Sequence, residues 1–503
     1  MKIKILIAGL LIVSIISCKK TFLEIPNPNG INDNNFYKTD ADFKLAINGV
    51  YAGIKALIGD KDQNPSGAVG AWVMGEMRSD NTEYVYSAPD RGVVQIEQIA
   101  DFLDDANNTT TLRKYTACYG IIASANAILQ TIDAADITED VKKNVKGQAL
   151  FLRAYSFFEL VQYFGDVPFP LTAANSLESA QLPRTKKEDI YTQIITDATS
   201  AVSLLPKKAD QEKGRVSTGS ANMLLGYIYM TLKQYPQAEA AFKLVDNGDY
   251  SLVTDYADIF NPLNKNNSES IFEAQYLEGD NGLQSNFAYF FAPKLADASL
   301  ISNMPSNAQT RNTGGWNFPS ASLIAAYETG DKRKSATLAL NTIADINGIV
   351  SPFYCKKYLH THSQDRNTND NWPVYRYADA LLLLAEALNE QGKSGEAVPY
   401  IVKVRTRAGL TMPFTVTNQA ALRDTIAHER RVELAFENHR WLDLVRTGKA
   451  VSVMNSYGAS IKSNPAYTYL LPASYNVTDN RLLFPIPASE RIKNPALTQN
   501  PGY

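Results

Sequence analysis

Leu225-Gly226-Tyr227-Ile228-Tyr229, followed by Ala238-Glu239-Ala240-Ala241-Phe242, decides the fold class. The offsets Leu-Gly-x2-Tyr and Ala-x3-Phe match the tetratricopeptide pattern, a pair of helices joined by a tight turn. Leu384-Ala385-x2-Leu388 and Ala397-x3-Ile401 repeat the same offsets. The small residue, Gly226 or Ala385, lets the first helix lie close to the second. Ala238 or Ala397 faces it across the turn, and Phe242 or Ile401 plugs the gap. Each such pair must bury a face on a neighbour. The two copies lie about 160 residues apart, which predicts helix pairs embedded in a larger mainly α domain rather than a regular solenoid.

Helical periodicity extends outward from these repeats. Cys118, Ile121, Ile122, Ala125, Ile128, Leu129 and Ile132 follow i, i+3, i+4 spacing. A helix over 145–164 stops at Gly165-Asp166-Val167-Pro168, and another over 187–204 stops before Pro206. Arg423 to Arg446 reads as a charged helix, with Arg430 and Glu433, and Glu437 and Arg440, spaced to pair at i, i+3. The expected role of these charges is a buried or half-buried ion network holding the helix against the repeats. Strand signals are few: 270–276, 353–359 and 482–486. Residues 281–319 and 361–372 are long, polar and aromatic, without periodicity. Such segments in a folded domain are functional or disordered.

The N-terminus is read separately. Lys2 and Lys4 precede an apolar run, Ile5 to Ile16, which closes on Ser17-Cys18. At about 12 residues it is too short to span a bilayer, which takes ~20, and it has the order of a secretory signal. Removing residues 1–17 takes two lysines away, so the formal charge of −3 becomes −5. A near-neutral, slightly acidic chain has no electrostatic case for nucleic acid. Residues 18–35, rich in Pro, Asn and Gly, read as a tether. Cys118 and Cys355 fall in apolar patterns and read as buried thiols, with one disulfide as the alternative.

Catalytic motifs are near misses. His428-Glu429-Arg430-Arg431-Val432 begins like a zinc-protease helix but has Val432 where the second His belongs. Gln391-Gly392-Lys393-Ser394 resembles the end of a phosphate-binding loop, but Ala387 stands where its first Gly is required. His360 and His362 would share a strand face, yet no further ligand is placed beside them by the pattern. Nothing local marks a glycosidase carboxylate pair. No cofactor or metal is expected.

Several stretches in order resemble the SusD/RagB family of nutrient-uptake outer-membrane lipoproteins. They are Cys18-Lys19-Lys20-Thr21-Phe22-Leu23-Glu24, residues 37–51, Ser79-Asp80-Asn81, Phe151-Leu152-Arg153-Ala154 with 164–168, and Arg376-Tyr377-Ala378-Asp379 into Leu384-Ala385-Glu386-Ala387. Residues 429–437 with 439–444, and Phe484-Pro485-Ile486-Pro487 through Asn500-Pro501-Gly502-Tyr503, are the most specific. The resemblance implies lipidation of Cys18 after cleavage of 1–17, with a single SusD-like domain over 36–503. Its N-terminal part is about 36–275 and its C-terminal RagB/SusD part about 276–503. It further implies no catalysis, outer-membrane display facing the cell exterior, and a SusC-like TonB-dependent β-barrel transporter as partner. The ligand is a glycan, occasionally a peptide, captured under a hinged lid; a surface glycosidase is the competing reading.

Ligand sites in the family tend to be built from the loop after Asp80-Asn81 and the loop before Pro319. A sugar offers an apolar C–H face and a rim of hydroxyls, which suit aromatic rings and polar side chains respectively. The candidates are therefore Asn81, Tyr84, Tyr86 and Arg91 from the first loop, and Tyr289, Phe291, Asn312 and Trp316 from the second. Trp372 stands outside both.

Overall fold

The computed structural model describes residues 36–59, 70, 72–84, 94–293, 301, 303–305, 308, 316–341, 353–410, 418–465 and 467–503. The expected signal, lipidated Cys18 and tether fall on residues 1–35, outside the described residues. Among the described residues no helix is long and apolar enough to cross a membrane.

The first helix, α1 (Asp40–Ile58), begins at a reciprocal cap between Thr39 and Asp42 and buries Phe43, Ile47, Val50, Ile54, Leu57 and Ile58 along one face. In α2 (Thr109–Thr131) the Asn108 side chain caps the amides of Thr110 and Thr111. Cys118, Ile121, Ile122, Ala125 and Ile128 point inward, as their spacing predicts. Next come α3 (Glu139–Phe164), six residues longer at its start than expected, and α4 (Lys187–Leu204), which has the expected bounds. The tetratricopeptide motifs form α5 (Thr218–Thr231) with α6 (Tyr235–Val245), and α7 (Tyr377–Glu390) with α8 (Ser394–Arg407).

These helices stack in chain order, each on the next from α1 to α8, and α6 packs directly on α7. The two motifs, distant in sequence, are therefore neighbours in space, and residues 246–376 form an excursion between adjacent layers. The gap-filling role of Phe242 is direct: a Cβ added to Gly226 would sit 2.3 Å from its ring. Gly226→Val is expected to cost about 1–3 kcal/mol of stability through overpacking. Urea denaturation checks this, and the double variant with Phe242→Leu should recover part of the loss.

The charged stretch is not one helix. It divides into α9 (Gln419–Glu433) and α10 (Arg440–Arg446), because Phe436 and Asn438 take left-handed φ values of 66° and 70°. A final long helix, α11, spans Ala450–Lys462. The expected i, i+3 pairs do not form, since the chain between Glu437 and Arg440 is not helical and closer partners lie elsewhere. Arg430 instead pairs with Asp379 at 2.6 Å and Asp443 at 2.9 Å, and Arg440 pairs with Asp80 at 2.8 Å. Glu433 takes Arg376 at 2.5 Å, Arg333 at 3.1 Å and Arg407, while Glu437 takes Lys357 at 2.8 Å and Arg376 at 2.7 Å. The expected network exists, and its partners come from across the fold.

Strands are short. β1 (Thr82–Glu83) pairs with β3 (Phe318–Pro319), β2 (Ser270–Ala274) with β6 (Trp372–Arg376), and β4 (Leu338–Leu340) with β5 (Phe353–Cys355), all antiparallel. The signal at 482–486 does not become a strand. Its Phe484 amide bonds the Tyr163 carbonyl at the end of α3, and its Ile486 amide bonds the Gln499 side chain. Cys118 and Cys355 are both free and buried.

Candidate functional site

The turn Ser79-Asp80-Asn81 is fastened from several directions. Asn81 donates through Nδ2 to Glu76 at 3.0 Å and accepts through Oδ1 from Arg431 at 2.8 Å. The Asn81 carbonyl receives the Ser320 amide, and the Asp80 carbonyl receives the Ser320 hydroxyl. This locks the start of β1 beside the end of β3, in the register Thr82 opposite Pro319 and Glu83 opposite Phe318. Because the ladder is antiparallel, the chain that follows Glu83 and the chain that precedes Phe318 leave from the same end.

That end carries three half-buried tyrosines. The Glu83 carboxylate accepts the Tyr467 hydroxyl at 2.6 Å and, more weakly, the Tyr457 hydroxyl at 3.5 Å. The Tyr469 hydroxyl donates to the Tyr84 carbonyl at 3.2 Å. The Tyr467 and Tyr469 rings lie 6.1 Å apart and tilted by 47°. Burial raises the Glu83 carboxyl above its ordinary range, against the two tyrosine hydroxyls that favour its charged form. With their hydroxyls held, these rings keep fixed orientations while their remaining faces meet solvent. Next to Phe318, Asn317 has φ 53° and is fully buried, and among the described residues neither polar atom of its side-chain amide has a partner. An unsatisfied buried amide costs about 1–3 kcal/mol.

Two family descriptions match the chain: "SusD family" over residues 344–503 and "Starch-binding associating with outer membrane" over 22–232. The chain belongs to the SusD family. The SusD-like protein P25 of Formosa agariphila is 27% identical to it, with all of both chains covered. A solved laminarin-binding SusD-like protein is 25% identical with a TM-score of 0.76, covering 93% of this chain and 100% of that one. Surface glycan-binding protein A from Bacteroides uniformis is also 25% identical with a TM-score of 0.76, covering 92% and 99%.

In this SusD family chain the described ends of the two loop regions, at Glu83 and Phe318, lie opposite each other in the β1/β3 ladder, and the proposed side chains that are described do not face solvent. Phe291 packs edge-on against Trp72, and Trp316 stacks flat on Phe290 at 5.2 Å. Trp372 stacks on Tyr358 at 5.1 Å and meets Phe287 edge-on. The Tyr289 hydroxyl bonds His362 Nε2 at 2.6 Å. Asn81 and Tyr84 are buried as well. An excursion with little helix has few other apolar groups to bury, so its aromatic rings build its own core. These six residues are therefore part of the core rather than of an exposed surface. Tyr86, Arg91 and Asn312 lie outside the described residues.

Sequence reasoning missed Glu83, Tyr457, Tyr467 and Tyr469. The one local signal was Tyr467-Thr468-Tyr469, which repeats the spacing of Tyr84-Val85-Tyr86. The histidine pair forms no metal site: both nitrogens of His362 are engaged, by Tyr289 and the His360 carbonyl, and His360 bonds Asp370. Among the described residues, Glu328, His428 and Glu429 have ligand-like spacing. Their carboxylates are already claimed by Arg405 and Arg333.

Proposed function

We propose that the chain is a non-catalytic cell-surface lipoprotein that captures an oligosaccharide at the β1/β3 end and passes it to a SusC-like TonB-dependent transporter. On this reading Cys18 carries the lipid, residues 18–35 are the tether, and 36–503 are the binding domain on the outer face of the outer membrane. The observation that carries it is the β1/β3 end, where the chain after Glu83 and the chain before Phe318 leave beside the Glu83–Tyr457–Tyr467–Tyr469 cluster. Oriented rings beside fixed polar groups match the two faces of a sugar. The names of the laminarin-binding and surface glycan-binding relatives point to the same ligand class.

A glycan array of the mature protein tests it, followed by titration with the best ligand. Tyr467→Ala is expected to weaken binding about tenfold, as loss of an aromatic anchor does. Tyr467→Phe, which keeps the ring and loses only the Glu83 bond, should retain most of the affinity. Equal affinity in Tyr467→Ala and Tyr469→Ala, with unchanged melting, would remove the cluster from the site. Release of reducing ends from the bound glycan would overturn the non-catalytic reading.

A further inference from the structure

Lys233 occupies a backbone position that its counterpart gives to glycine. Helix α5 ends with the Lys233 amide bonded to the Met230 carbonyl and the Gln234 amide to the Tyr229 carbonyl. Helix α7 ends the same way, with Gly392 bonded to Asn389 and Lys393 to Leu388. In both, the residue eight positions after the motif leucine is left-handed: φ is 57° at Lys233 and 77° at Gly392. Glycine is the usual occupant because a Cβ is disfavoured there. A strained residue retained at such a point suggests a task for its side chain.

Lys233 lines a cavity of about 460 Å³ bounded by the ends of α5 and α7 and by α9, α10 and α11. Six cationic side chains line it against four anionic ones, and Asp379 and Asp80 outside the lining pair with two of its arginines, so the unbalanced charge lies at the rim lysines. Its arginines are committed: Arg423 to Glu390, Arg446 to Glu386 and Asp443, Arg430 to Asp443 and Asp379, and Arg440 to Asp80. Lys233 and Lys449 are exposed, and among the described residues neither has an ion-pair partner. Asp424 stands at the same rim and only partly offsets them. Among the described residues Tyr235 is the one aromatic side chain in the lining, while Met230, Leu444 and Val453 supply an apolar floor.

We propose that this cavity is a docking site for an acidic segment of a partner polypeptide, whose carboxylates pair with Lys233 and Lys449 and whose aliphatic side chains rest on the floor. It is separate from the tyrosine cluster and does not depend on the glycan reading. Fluorescence anisotropy of the purified full chain tests it, using a labelled peptide of alternating Glu and Leu. The same peptide with Gln for Glu, and an oligogalacturonate, serve as comparisons. The Glu peptide should bind, and bind less well in high salt because the lysines are exposed. Lys233→Gly should weaken it about two- to fivefold, and Lys449→Ala similarly. Lys233→Arg should preserve binding and Asp424→Asn should strengthen it. Lys233→Gly should also melt no lower than the parent, since glycine accepts the left-handed backbone. Unchanged affinity in Lys233→Gly, equal binding of the Gln peptide, or tighter binding of oligogalacturonate would each overturn the proposal.

Discussion

Glu433→Ala lowers the free energy of unfolding by about 3–5 kcal/mol, the range for breaking a buried ion pair from one side. Glu433 is fully buried and its carboxylate receives Arg333, Arg376 and Arg407, each from a different part of the chain. Arg376 has further partners in Glu269 at 2.8 Å and Glu437 at 2.7 Å, and Arg333 has Asp331 and Glu429. Removing the central carboxylate takes an ion partner from three buried guanidiniums at once, where water cannot reach to replace it. The loss is large against a total stability of about 5–15 kcal/mol. The comparison is Glu328→Ala: Glu328 pairs with Arg405 but is 42% exposed, so solvent screens it and under about 1 kcal/mol is expected. Urea denaturation, which adds no salt, reads both. A cost under about 1 kcal/mol for Glu433→Ala would show that the network does not hold the C-terminal part onto the repeats.

Stability should pass through a maximum near about pH 5 and fall on both sides, for opposite reasons. Burial pushes Glu76 up to about 7, against the Phe436 amide, the Asn81 amide and the Asn438 amide that favour its charged form. Burial likewise pushes Asp101 up to about 7, against the Ser474 hydroxyl. The folded state therefore holds protons on these two groups at a pH where the unfolded chain, with values of about 4, has lost them. Stability contributed in this way rises as pH falls from about 7 towards about 4, by roughly 4 kcal/mol at most for each group. Burial also acts on Glu433, but Arg407, Arg376 and Arg333 outweigh it and hold its carboxyl well below the usual range. Arg430 and Arg446 do the same for half-buried Asp443. Their contribution is complete above the unfolded value of about 4 and is lost as pH falls towards their folded values. Urea unfolding between about pH 3.5 and pH 8 checks the curve. Asp101→Asn, which can keep a hydrogen bond to Ser474, should flatten the alkaline limb. Stability that climbs steadily from pH 5 to pH 8 would contradict the argument.

The helical layers were legible because their information is local. Gly226 and Phe242 state their contact within one motif, and the inward face of α2 is written in the spacing of Cys118 to Ile128. The charged motif was legible in kind but not in pairing. Its residues announced a network, yet Arg430, Glu433 and Glu437 take partners from distant segments in preference to one another. Lys233 and Gly392 show the same limit: the motif aligns them, but only the backbone reveals that one is strained.

By itself the sequence determined the mainly α fold and its repeated helix pairs, and it carries the signal-like start that ends at Cys18. Tertiary structure alone decided which aromatic rings remain open to solvent. Trp316 and Trp372 were withdrawn into the core of the excursion, whereas Tyr457, Tyr467 and Tyr469 were brought to Glu83 from more than 370 residues away. The physical reason is range. Helix formation depends on residues three or four apart, while exposure of a ring depends on which distant segment folds over it.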